Sequence, residues 1–271
     1  MRGSAVNAAE AAERMLGRQV AAARRLAGGD LSAVFRLTLR NGEALIAKQT
    51  ANAAAEAAML RAIGATGAPA PKVLAAESDW LLMEAIEADG AVGDAWPDLA
   101  HALGRLHAAA APDYGWPTDH HFGPVRIENR PASDWPLFWA ERRLLCHLPF
   151  ISRDLGRRIA RLADRLPDHL PARPAAALLH GDLWGGNVLV AGQRVAALID
   201  PACYHGDREV DVAMLTLFDR PPRAFFESLG LDSGWSERQP IYRLWPLLVH
   251  LRLFGDSYVN FVETALLAVG C

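Results

Sequence analysis

The sequence predicts an α+β fold of two lobes, in which a small antiparallel sheet precedes a larger, mainly helical part. Three observations lead to this prediction. The turn sequence Asn41-Gly42 separates two short β-type segments near the N-terminus. Helical periodicity dominates from Asp94 onward. The length of 271 residues suits one large domain or two lobes. We expect the lobes to be residues 1–88 and 89–271.

The N-terminal lobe is predicted to contain a hairpin, further short strands and one helix that follows the hairpin. Residues 34–40 alternate in part between apolar and polar side chains, and residues 43–49 return after the turn as a second strand. Residues 51–63 are rich in Ala, Glu, Met and Leu, which favours a helix. A first short helix at residues 7–16 and short strands at residues 72–75 and 80–84 complete the lobe.

The C-terminal lobe is predicted to be a set of helices around one strand-rich segment. Helical periodicity is found at residues 98–110, 135–148, 155–166 and 240–263. The clear β-type stretch of this half covers residues 180–201. A loop rich in Pro, Gly, His and Asn, residues 115–136, is long enough to suggest a functional role. A hinge is expected near residues 84–90.

Composition narrows the possible partners and location. The formal net charge of −3 gives no electrostatic reason to expect a nucleic-acid or an anionic-membrane partner. The 3 cysteines are odd in number and widely spaced, which predicts neither a disulfide framework nor a metal site and fits a reducing compartment. Glu10 and Glu13 interrupt the region where a signal peptide needs an apolar stretch. We therefore expect a cytoplasmic protein.

The most informative stretch places three polar residues in one loop between apolar strands. His180-Gly181-Asp182 is followed after five residues by Asn187, and Asp200 comes thirteen residues later, at the end of the next strand. Phosphoryl transfer from a nucleotide needs a carboxylate that deprotonates the acceptor hydroxyl, and an amide oxygen and a second carboxylate that hold Mg²⁺. Each residue alone fits an ordinary turn or loop, but their joint spacing predicts a phosphotransferase.

The sequence segments that contain these residues also resemble a known group of enzymes. The pattern HGDxxxxN followed by Ile199-Asp200 is similar to the protein-kinase-like small-molecule kinases, which include aminoglycoside phosphotransferases and choline kinases. The fuller sequences, HGDLWGGN at 180–187, IDPA at 199–202 and YHGDREVDVAM at 204–214, resemble the fructosamine kinase (ketosamine 3-kinase) family. The resemblance runs from about residue 26 to residue 258.

The resemblance implies a role for each residue of the core set. Asp182 would be the catalytic base for a sugar hydroxyl, and Asn187 and Asp200 would be the Mg²⁺ ligands. Lys48 would bind the phosphates of ATP, and Glu56, on the following helix, would be its ion-pair partner. Without the resemblance, Lys48 and Glu56 fit a strand-edge charge and an exposed helix charge better than a functional pair. Only 2 of the 28 basic residues are lysines, which favours a specific role for Lys48.

Two further segments are predicted to contact the nucleotide. The turn that contains Gly28 and Gly29 could present backbone N–H groups to the phosphates, although it departs from GxGxxG and also fits an ordinary β-turn. Glu84 and Ile86 lie where kinase hinges offer backbone groups to adenine.

The acceptor side is assigned to residues that follow the catalytic base. Trp184 offers a stacking wall for a sugar-amine acceptor, or anchors the core. Tyr204, Asp207 and Glu209 lie in a segment that resembles the family's signature. The carboxylates of Asp207 and Glu209 would attract the protonated amine of a ketosamine, or form a salt-bridge network that positions the loop.

Other polar residues are interpreted as structural. His180 is expected to hold the loop through backbone hydrogen bonds, and Asp211 to cap the backbone of the catalytic loop. His120 and His121 lack further ligands at metal-binding spacing, so we expect surface-loop histidines. His205 stands where the family commonly has a tyrosine, which puts the shape of the acceptor pocket in doubt.

The sequence therefore predicts a kinase that uses ATP and Mg²⁺ to phosphorylate a hydroxyl, the 3-hydroxyl by resemblance, of a ketosamine. The acceptors implied are small ketosamines or glycated lysines of proteins, and the family implies a deglycating repair role. One alternative is an aminoglycoside- or choline-type phosphotransferase. A second is a non-catalytic kinase-like binding module, which would be expected to lack one of the core residues. Both kinase interpretations require Lys48 to lie close to Asp200.

Overall fold

The first part of the chain forms a five-stranded antiparallel sheet in the computed structural model, which describes residues 4–26 and 32–271. Its strands are β1 (Val20–Arg25), β2 (Ala33–Leu39), β3 (Ala44–Gln49), β4 (Val73–Glu77) and β5 (Trp80–Glu84), in the order β1-β2-β3-β5-β4. The predicted Asn41-Gly42 turn joins β2 to β3, and Gly42 has a φ of 86°, a conformation that glycine adopts without strain. Strand β1 was not predicted, because at this edge of the sheet its side chains are mostly exposed and carry no apolar alternation.

Two helices accompany this sheet. Helix α1 (Ala5–Leu16) begins at Ser4, whose hydroxyl accepts the N–H of Asn7, and ends at Gly17, which has a φ of 66°. It contributes small buried alanines to a core shared with strand residues such as Phe35. Helix α2 (Ala53–Ala65) buries its apolar face together with one charged residue, Glu56. That burial brings a carboxylate to the sheet.

The connection after β5 lies against the second lobe. The N–H groups of Asp89 and Gly90 both donate to the carbonyl oxygen of Val190, at 3.0 Å each. A Cβ atom at Gly90 would lie 2.8 Å from Cγ1 of Val190, so this close approach requires glycine. The predicted boundary at residue 88 falls within this connection.

The second lobe is mainly helical, and with the sheet lobe it confirms the predicted two-lobed α+β fold. Its helices are α3 (Trp96–His107), α4 (Trp135–Trp139), α5 (Arg153–His169), α6 (Glu209–Phe218), α7 (Arg223–Leu229), α8 (Trp235–Phe254) and α9 (Val259–Ala268). Its strands are short: β6 (Ala110–Ala111), β7 (His120–Phe122), β8 (Val125–Ile127), β9 (Ala176–Leu179), β10 (Val188–Ala191), β11 (Arg194–Leu198) and β12 (Tyr204–Gly206). Buried aromatic residues, among them Trp135 and Tyr242, fill the core between the helices.

The helix predicted at residues 135–148 is wrong in its second half. Helix α4 ends at Trp139, a wider π-type turn follows at Ala140–Leu144, and a 3₁₀ segment follows that turn. The wider turn contains Arg143, which is fully buried with its guanidinium carbon 4.1 Å from the ring centre of Tyr204. Helical periodicity did not show this departure, because a single π-type or 3₁₀ turn is too short to establish a period of its own.

The helix predicted at residues 240–263 is two helices. Helix α8 ends at Phe254, and Gly255 follows with a φ of 77° and a ψ of −158°, a conformation that is essentially limited to glycine and cannot continue an α-helix. A 3₁₀ turn, Gly255–Tyr258, then leads into α9. This break places the rings of Phe254 and Tyr258 with their centres 5.9 Å apart.

Within the described part of the chain, no helix combines the length and apolarity needed to cross a membrane.

Candidate active site

A cavity of about 440 Å³ brings together residues of the sheet lobe and the helical lobe. The sheet lobe contributes β2, β3 and the start of α2, and the helical lobe contributes the β7–β8 hairpin, the loop after β9, the end of α6 and the C-terminal half of α8. Polar residues among its walls include Lys48, Asn52, Glu56, His120, Asp182, Asn187, Asp200 and His250. The predicted core set therefore shares one cavity.

The loop after β9 is fixed by glycine and by one buried carboxylate. Gly181 has a φ of 81°, and a Cβ atom there would lie 2.0 Å from the carbonyl oxygen of Ala202, so the position requires glycine. Asp211, on α6, accepts the N–H groups of His180 and Gly181 at 2.9 Å each. Its Oδ2 atom also bonds His107 Nε2 at 2.9 Å. Burial alone would raise the pKa of Asp211, but these hydrogen bonds lower it below its ordinary value.

His180 supports the loop as a neutral ring. Its Nε2 atom lies 3.0 Å from the carbonyl oxygen of Ile199 and must carry the hydrogen, since a carbonyl oxygen only accepts. Its Nδ1 atom then accepts the N–H of Asp182 at 3.3 Å. Burial lowers the pKa of His180, which is consistent with the neutral form. These contacts agree with the expected structural role.

Asp182 has an environment that suits proton transfer near neutral pH. The amide nitrogen of Asn187 donates to the carbonyl oxygen of Asp182 at 2.8 Å and to its Oδ2 atom at 3.2 Å. Burial raises the pKa of Asp182 to about 7, in spite of the opposing hydrogen bond from Asn187. A carboxylate with this pKa can accept a proton from a hydroxyl group at neutral pH.

Lys48 connects the two lobes at the centre of the cavity. Its Nζ atom lies 2.8 Å from Oε1 of Glu56 and 3.0 Å from Oδ1 of Asp200, although Asp200 is 152 residues away in sequence. Lys48 and Glu56 are only 6% and 3% exposed. Burial would lower the pKa of Lys48, but the two carboxylates more than offset it and raise that pKa, so the ammonium group stays charged. The required proximity of Lys48 and Asp200 is present.

Asp200 adopts a strained backbone conformation at the end of β11. Its φ of 54° is uncommon for a residue other than glycine and costs on the order of 1 kcal/mol. Its side chain is 42% exposed toward the cavity, in contrast with the buried Lys48 and Glu56. Strain of this kind persists where surrounding contacts hold it, and it occurs often at functional sites.

The side-chain oxygen atoms of Asn187 and Asp200 are suitable ligands for Mg²⁺. Because the amide nitrogen of Asn187 is bonded to Asp182, its carbonyl oxygen is the atom left for a metal, and Asp200 adds a carboxylate from the same cavity. Hard oxygen donors of this type are those that Mg²⁺ prefers. Residues 4–26 and 32–271 contain no group of three or more His, Cys, Asp or Glu side chains arranged to hold a metal alone. A Mg²⁺ ion here would take its other ligands from phosphates and water.

The structure describes only some of the other residues that were predicted to contact the nucleotide. Gly28 and Gly29 lie outside the described residues. Glu84 ends β5 and Ile86 follows in the connection, and neither lines the cavity. The N–H of Glu84 donates to the carbonyl oxygen of Lys72 at 2.9 Å, and a contact of the Glu84 carbonyl oxygen with adenine stays a prediction. The contact of Ile86 with adenine stays a prediction.

The acceptor roles predicted for Tyr204, Asp207 and Glu209 are wrong. These residues are 0%, 4% and 2% exposed and do not line the cavity, so a bound molecule cannot touch them. Asp207 accepts the hydroxyl of Tyr242 at 2.7 Å, and Glu209 forms two hydrogen bonds with Arg238 at 2.6 and 2.8 Å. The alternative of a positioning network therefore describes Asp207 and Glu209.

Trp184, in contrast, lies at the cavity wall. The side chain is 40% exposed, and its ring packs edge-on against Phe218 with centres 6.0 Å apart. A Cβ atom at Gly186 would lie 2.2 Å from the indole ring, so glycine allows Trp184 to fold over the loop. Its exposure matches the predicted stacking wall and not a core anchor.

Two histidines that we expected at the surface belong to the β7–β8 hairpin. His120 is 6% exposed and lines the cavity, and burial, the Lys48 charge and His121 lower its pKa to about 4. The carbonyl oxygen of His121 accepts the side-chain amide of Asn52 at 2.9 Å, which joins the hairpin to the start of α2. Sequence reasoning missed His120 because a three-residue strand is too short to show alternation.

His205 does not shape the acceptor pocket. Its ring stacks on Trp116 with centres 5.6 Å apart, and its backbone N–H donates to the carbonyl oxygen of Gly115 at 2.8 Å. It lies outside the cavity lining. The replacement of the family's tyrosine by His205 therefore does not change the lining of this cavity.

Comparison with known proteins adds an independent observation. The family model described as "Fructosamine kinase" matches residues 5–269. A "probable ketoamine kinase" of Enterococcus faecium is 37% identical over 202 residues, which are 70% of this chain and 72% of that protein.

Solved structures agree with the fold. A crystal structure from Thermobifida fusca named "putative fructosamine-3-kinase" has a TM-score of 0.88 and 32% identity, and the match covers 96% of this chain and 97% of that one. An aminoglycoside phosphotransferase in ternary complex with AMP-PNP and hygromycin B has a TM-score of 0.69 at 16% identity, over 98% of this chain and 99% of that one, which shows a shared fold.

Proposed function

This chain belongs to the fructosamine kinase family and is a small-molecule kinase, and from this premise we propose that it phosphorylates the 3-hydroxyl of a ketosamine with ATP and Mg²⁺. One observation carries the proposal. Lys48, Glu56 and Asp200 form one hydrogen-bonded group in the same cavity as Asp182 and Asn187. This set matches the parts that phosphoryl transfer needs.

In the proposed reaction Asp182 acts as the general base. Its carboxylate takes the proton of the acceptor hydroxyl while the oxygen forms a bond to the γ-phosphorus of ATP and the bond from that phosphorus to the ADP oxygen breaks. The hydrogen bond from Asn187 orients the Asp182 carboxylate, because it fixes one of the two oxygens. The raised pKa of Asp182, about 7, supports proton uptake at neutral pH.

Lys48 and the proposed metal ligands act on the phosphates. The Lys48 ammonium group, oriented by Glu56, would bind phosphate oxygens near Asp200. Asn187 and Asp200 would hold Mg²⁺, which supplies charge neutralisation to the phosphate chain.

The proposed product has a consequence for glycated amines. A phosphate ester at carbon 3 lies next to the carbonyl carbon of the sugar, so loss of inorganic phosphate followed by hydrolysis releases the amine. This chemistry would return a glycated amine or a glycated lysine to its free form. The proposed biological role is therefore deglycation.

Two other functions fit less well. Aminoglycosides are polycations, whereas the carboxylates among the described lining residues are Glu56, Asp182 and Asp200, and Glu56 is already paired with Lys48. A non-catalytic binding module would be expected to lack part of the set Lys48, Asp182 and Asp200. These three residues are present and share the cavity.

The test is a substrate panel with Mg·ATP. We expect ADP formation with fructosyl-, ribulosyl- or erythrulosyl-lysine and none above background with kanamycin or choline, and NMR of the product should place phosphate on carbon 3. Asp182→Asn should lower kcat by about a hundredfold or more. Asp154→Asn, on the exposed surface of α5, is the matched control and should leave kcat unchanged. Full activity of Asp182→Asn, or phosphorylation of kanamycin alone, would reject the proposed function.

A further inference from the structure

A row of aromatic side chains extends from the catalytic loop along one wall of the cavity. We define this aromatic row as Trp184, Phe218, His250, Phe254 and Tyr258, all of which line the cavity. The geometry points to a subsite for the amine substituent of the acceptor, and we propose that it selects ketosamines whose amine carries an aromatic or branched apolar group. This inference rests on the proposed function, because it names the substrate class of the same site.

The row is continuous from ring to ring. The centres of Trp184 and Phe218 lie 6.0 Å apart, and those of Phe218 and His250 lie 5.5 Å apart. His250 lies 5.5 Å from Phe254 and 5.0 Å from Tyr258. Since Trp184 is two residues from Asp182, the row begins beside the proposed reacting hydroxyl.

The rings are exposed to an extent that needs an explanation. Trp184, Phe218 and Phe254 are 40%, 44% and 48% exposed, although large aromatic residues are usually mostly buried. Contiguous exposed apolar surface of this kind marks a binding surface more often than scattered single residues do. The Gly255 turn that ends α8 sets the positions of Phe254 and Tyr258, so the fold itself builds the end of the row.

The charged side chains of the cavity do not belong to the aromatic row. Among the described lining residues, the carboxylates are Glu56, Asp182 and Asp200, which belong to the phosphate and base region. The aromatic row therefore offers apolar area and ring faces, with no carboxylate among its members. A protonated secondary amine can be held over ring faces, while a second cationic or anionic group on the substituent would lose hydration without an ionic partner.

His250 adds a hydrogen-bond acceptor to this wall. Its Nδ1 atom lies 2.7 Å from the carbonyl oxygen of Pro246 and so carries the hydrogen, which leaves Nε2 as an acceptor in the neutral ring. Burial lowers the pKa of His250, consistent with a neutral ring at neutral pH. A neutral acceptor among aromatic rings suits the N–H of a protonated amine better than a second cation would.

The experiment varies only the amine of the acceptor. Fructosyl adducts of 2-phenylethylamine, isopentylamine, ethanolamine, glycine and the lysine side chain are compared by kcat/KM with the full-length enzyme and Mg·ATP. We expect the phenylethylamine and isopentylamine adducts to exceed the ethanolamine and glycine adducts by about tenfold. Phe218→Ser should lower kcat/KM for the phenylethylamine adduct by about tenfold and for the ethanolamine adduct by less than about threefold.

Leu137→Ser is the control, because Leu137 is 52% exposed and does not line the cavity, and it should leave the ratio between adducts unchanged. Equal kcat/KM values for all adducts, or a preference for the glycine or lysine adduct, would overturn the inference and leave the proposed function standing. An unchanged ratio in Phe218→Ser would also overturn it. Absence of phosphorylation with every adduct would instead reject the proposed function.

Discussion

Asp182 combines a catalytic position with an environment that penalises its charge. Burial raises its pKa in the folded protein from 3.8 to about 7. The folded state therefore binds a proton more readily than the unfolded state between about pH 4 and pH 7. The contribution of Asp182 to the free energy of unfolding consequently falls as pH rises through this range.

The first prediction follows from this decrease in the free energy of unfolding with rising pH. Asp182→Asn, which cannot ionise, should become more stable relative to the wild type as pH rises from about 4 to about 7, by on the order of 1–4 kcal/mol. Urea unfolding of both proteins across this pH range, without nucleotide, measures the difference. The difference for the exposed Asp154→Asn variant should not depend on pH in this way. Parallel curves for Asp182→Asn and wild type would contradict the assigned environment.

Lys48 gives the second prediction at the scale of single residues. Lys48→Met leaves Glu56 buried without a cation, so the variant should lose about 3 kcal/mol of stability in urea unfolding. The double variant Lys48→Met with Glu56→Gln should recover much of that loss, because no unpaired buried charge remains. Both variants should bind Mg·ATP more weakly by calorimetric titration, since neither has the ammonium group. Wild-type nucleotide affinity in the double variant would show that Lys48 does not contact phosphate.

At the scale of elements, α6 holds the catalytic loop through one carboxylate. Asp211 accepts two backbone N–H groups of the loop and a hydrogen bond from His107. An amide at this position keeps only one accepting oxygen. A change at Asp211 should therefore alter both the geometry of the loop after β9 and the stability of the protein.

The third prediction tests this link. Asp211→Asn should lower stability by about 3 kcal/mol, because one buried donor loses its acceptor, and should also lower kcat. Asp98→Asn is the matched control, since Asp98 accepts the N–H of Val195 at 2.8 Å outside the catalytic loop. It should lower stability less and leave kcat unchanged. Equal kcat values for Asp211→Asn and wild type would show that the loop does not need this anchor.

The β7–β8 hairpin shows how an element can be missed. Residues 115–136 were predicted as a loop because Pro, Gly, His and Asn dominate their composition. The hairpin has three residues in each strand and is held by contacts outside its own sequence, such as that between Asn52 and His121. The amino-acid composition of such a segment indicates turns, but it does not indicate the tertiary contacts that stabilise a short hairpin.

For the whole molecule, polar contacts across the cavity join the two lobes in addition to an apolar core in which Met59 and Ile63 pack with Leu99. Lys48 bonds Asp200, and Asn52 bonds His121, each across the cavity between elements of different lobes. The Asn52 contact is not part of the proposed phosphate or base machinery. Its loss should loosen the hairpin and leave the proposed catalytic groups in place.

The fourth prediction concerns this contact. Asn52→Ala should raise KM for ATP by up to about fivefold, the equivalent of one hydrogen bond, with little change in Tm. Hydrogen exchange of residues 120–127 should be faster in the variant. Asn260→Ala, on exposed α9, is the control and should change neither quantity. Unchanged exchange in the hairpin would show that Asn52 does not hold it.

The sequence by itself determined the two-lobed fold and the family of the protein. Hairpin and helix patterns act over neighbouring residues, and the spacing of Asp182, Asn187 and Asp200 follows from one contiguous unit, the loop after β9 and the β10–β11 hairpin. A short unit of this kind holds its side chains together wherever it lies in the fold. These residues could therefore be selected without tertiary information.

Only the tertiary structure decided which side chains face the cavity outside that unit. Tyr204, Asp207 and Glu209 follow the same unit, but β12 pairs with β9 and α6 packs against α8, so these three side chains are buried in the core. The same packing exposes Phe218 and brings it next to Trp184 and His250. The direction of a side chain depends on contacts between elements distant in sequence, and local spacing does not contain that information.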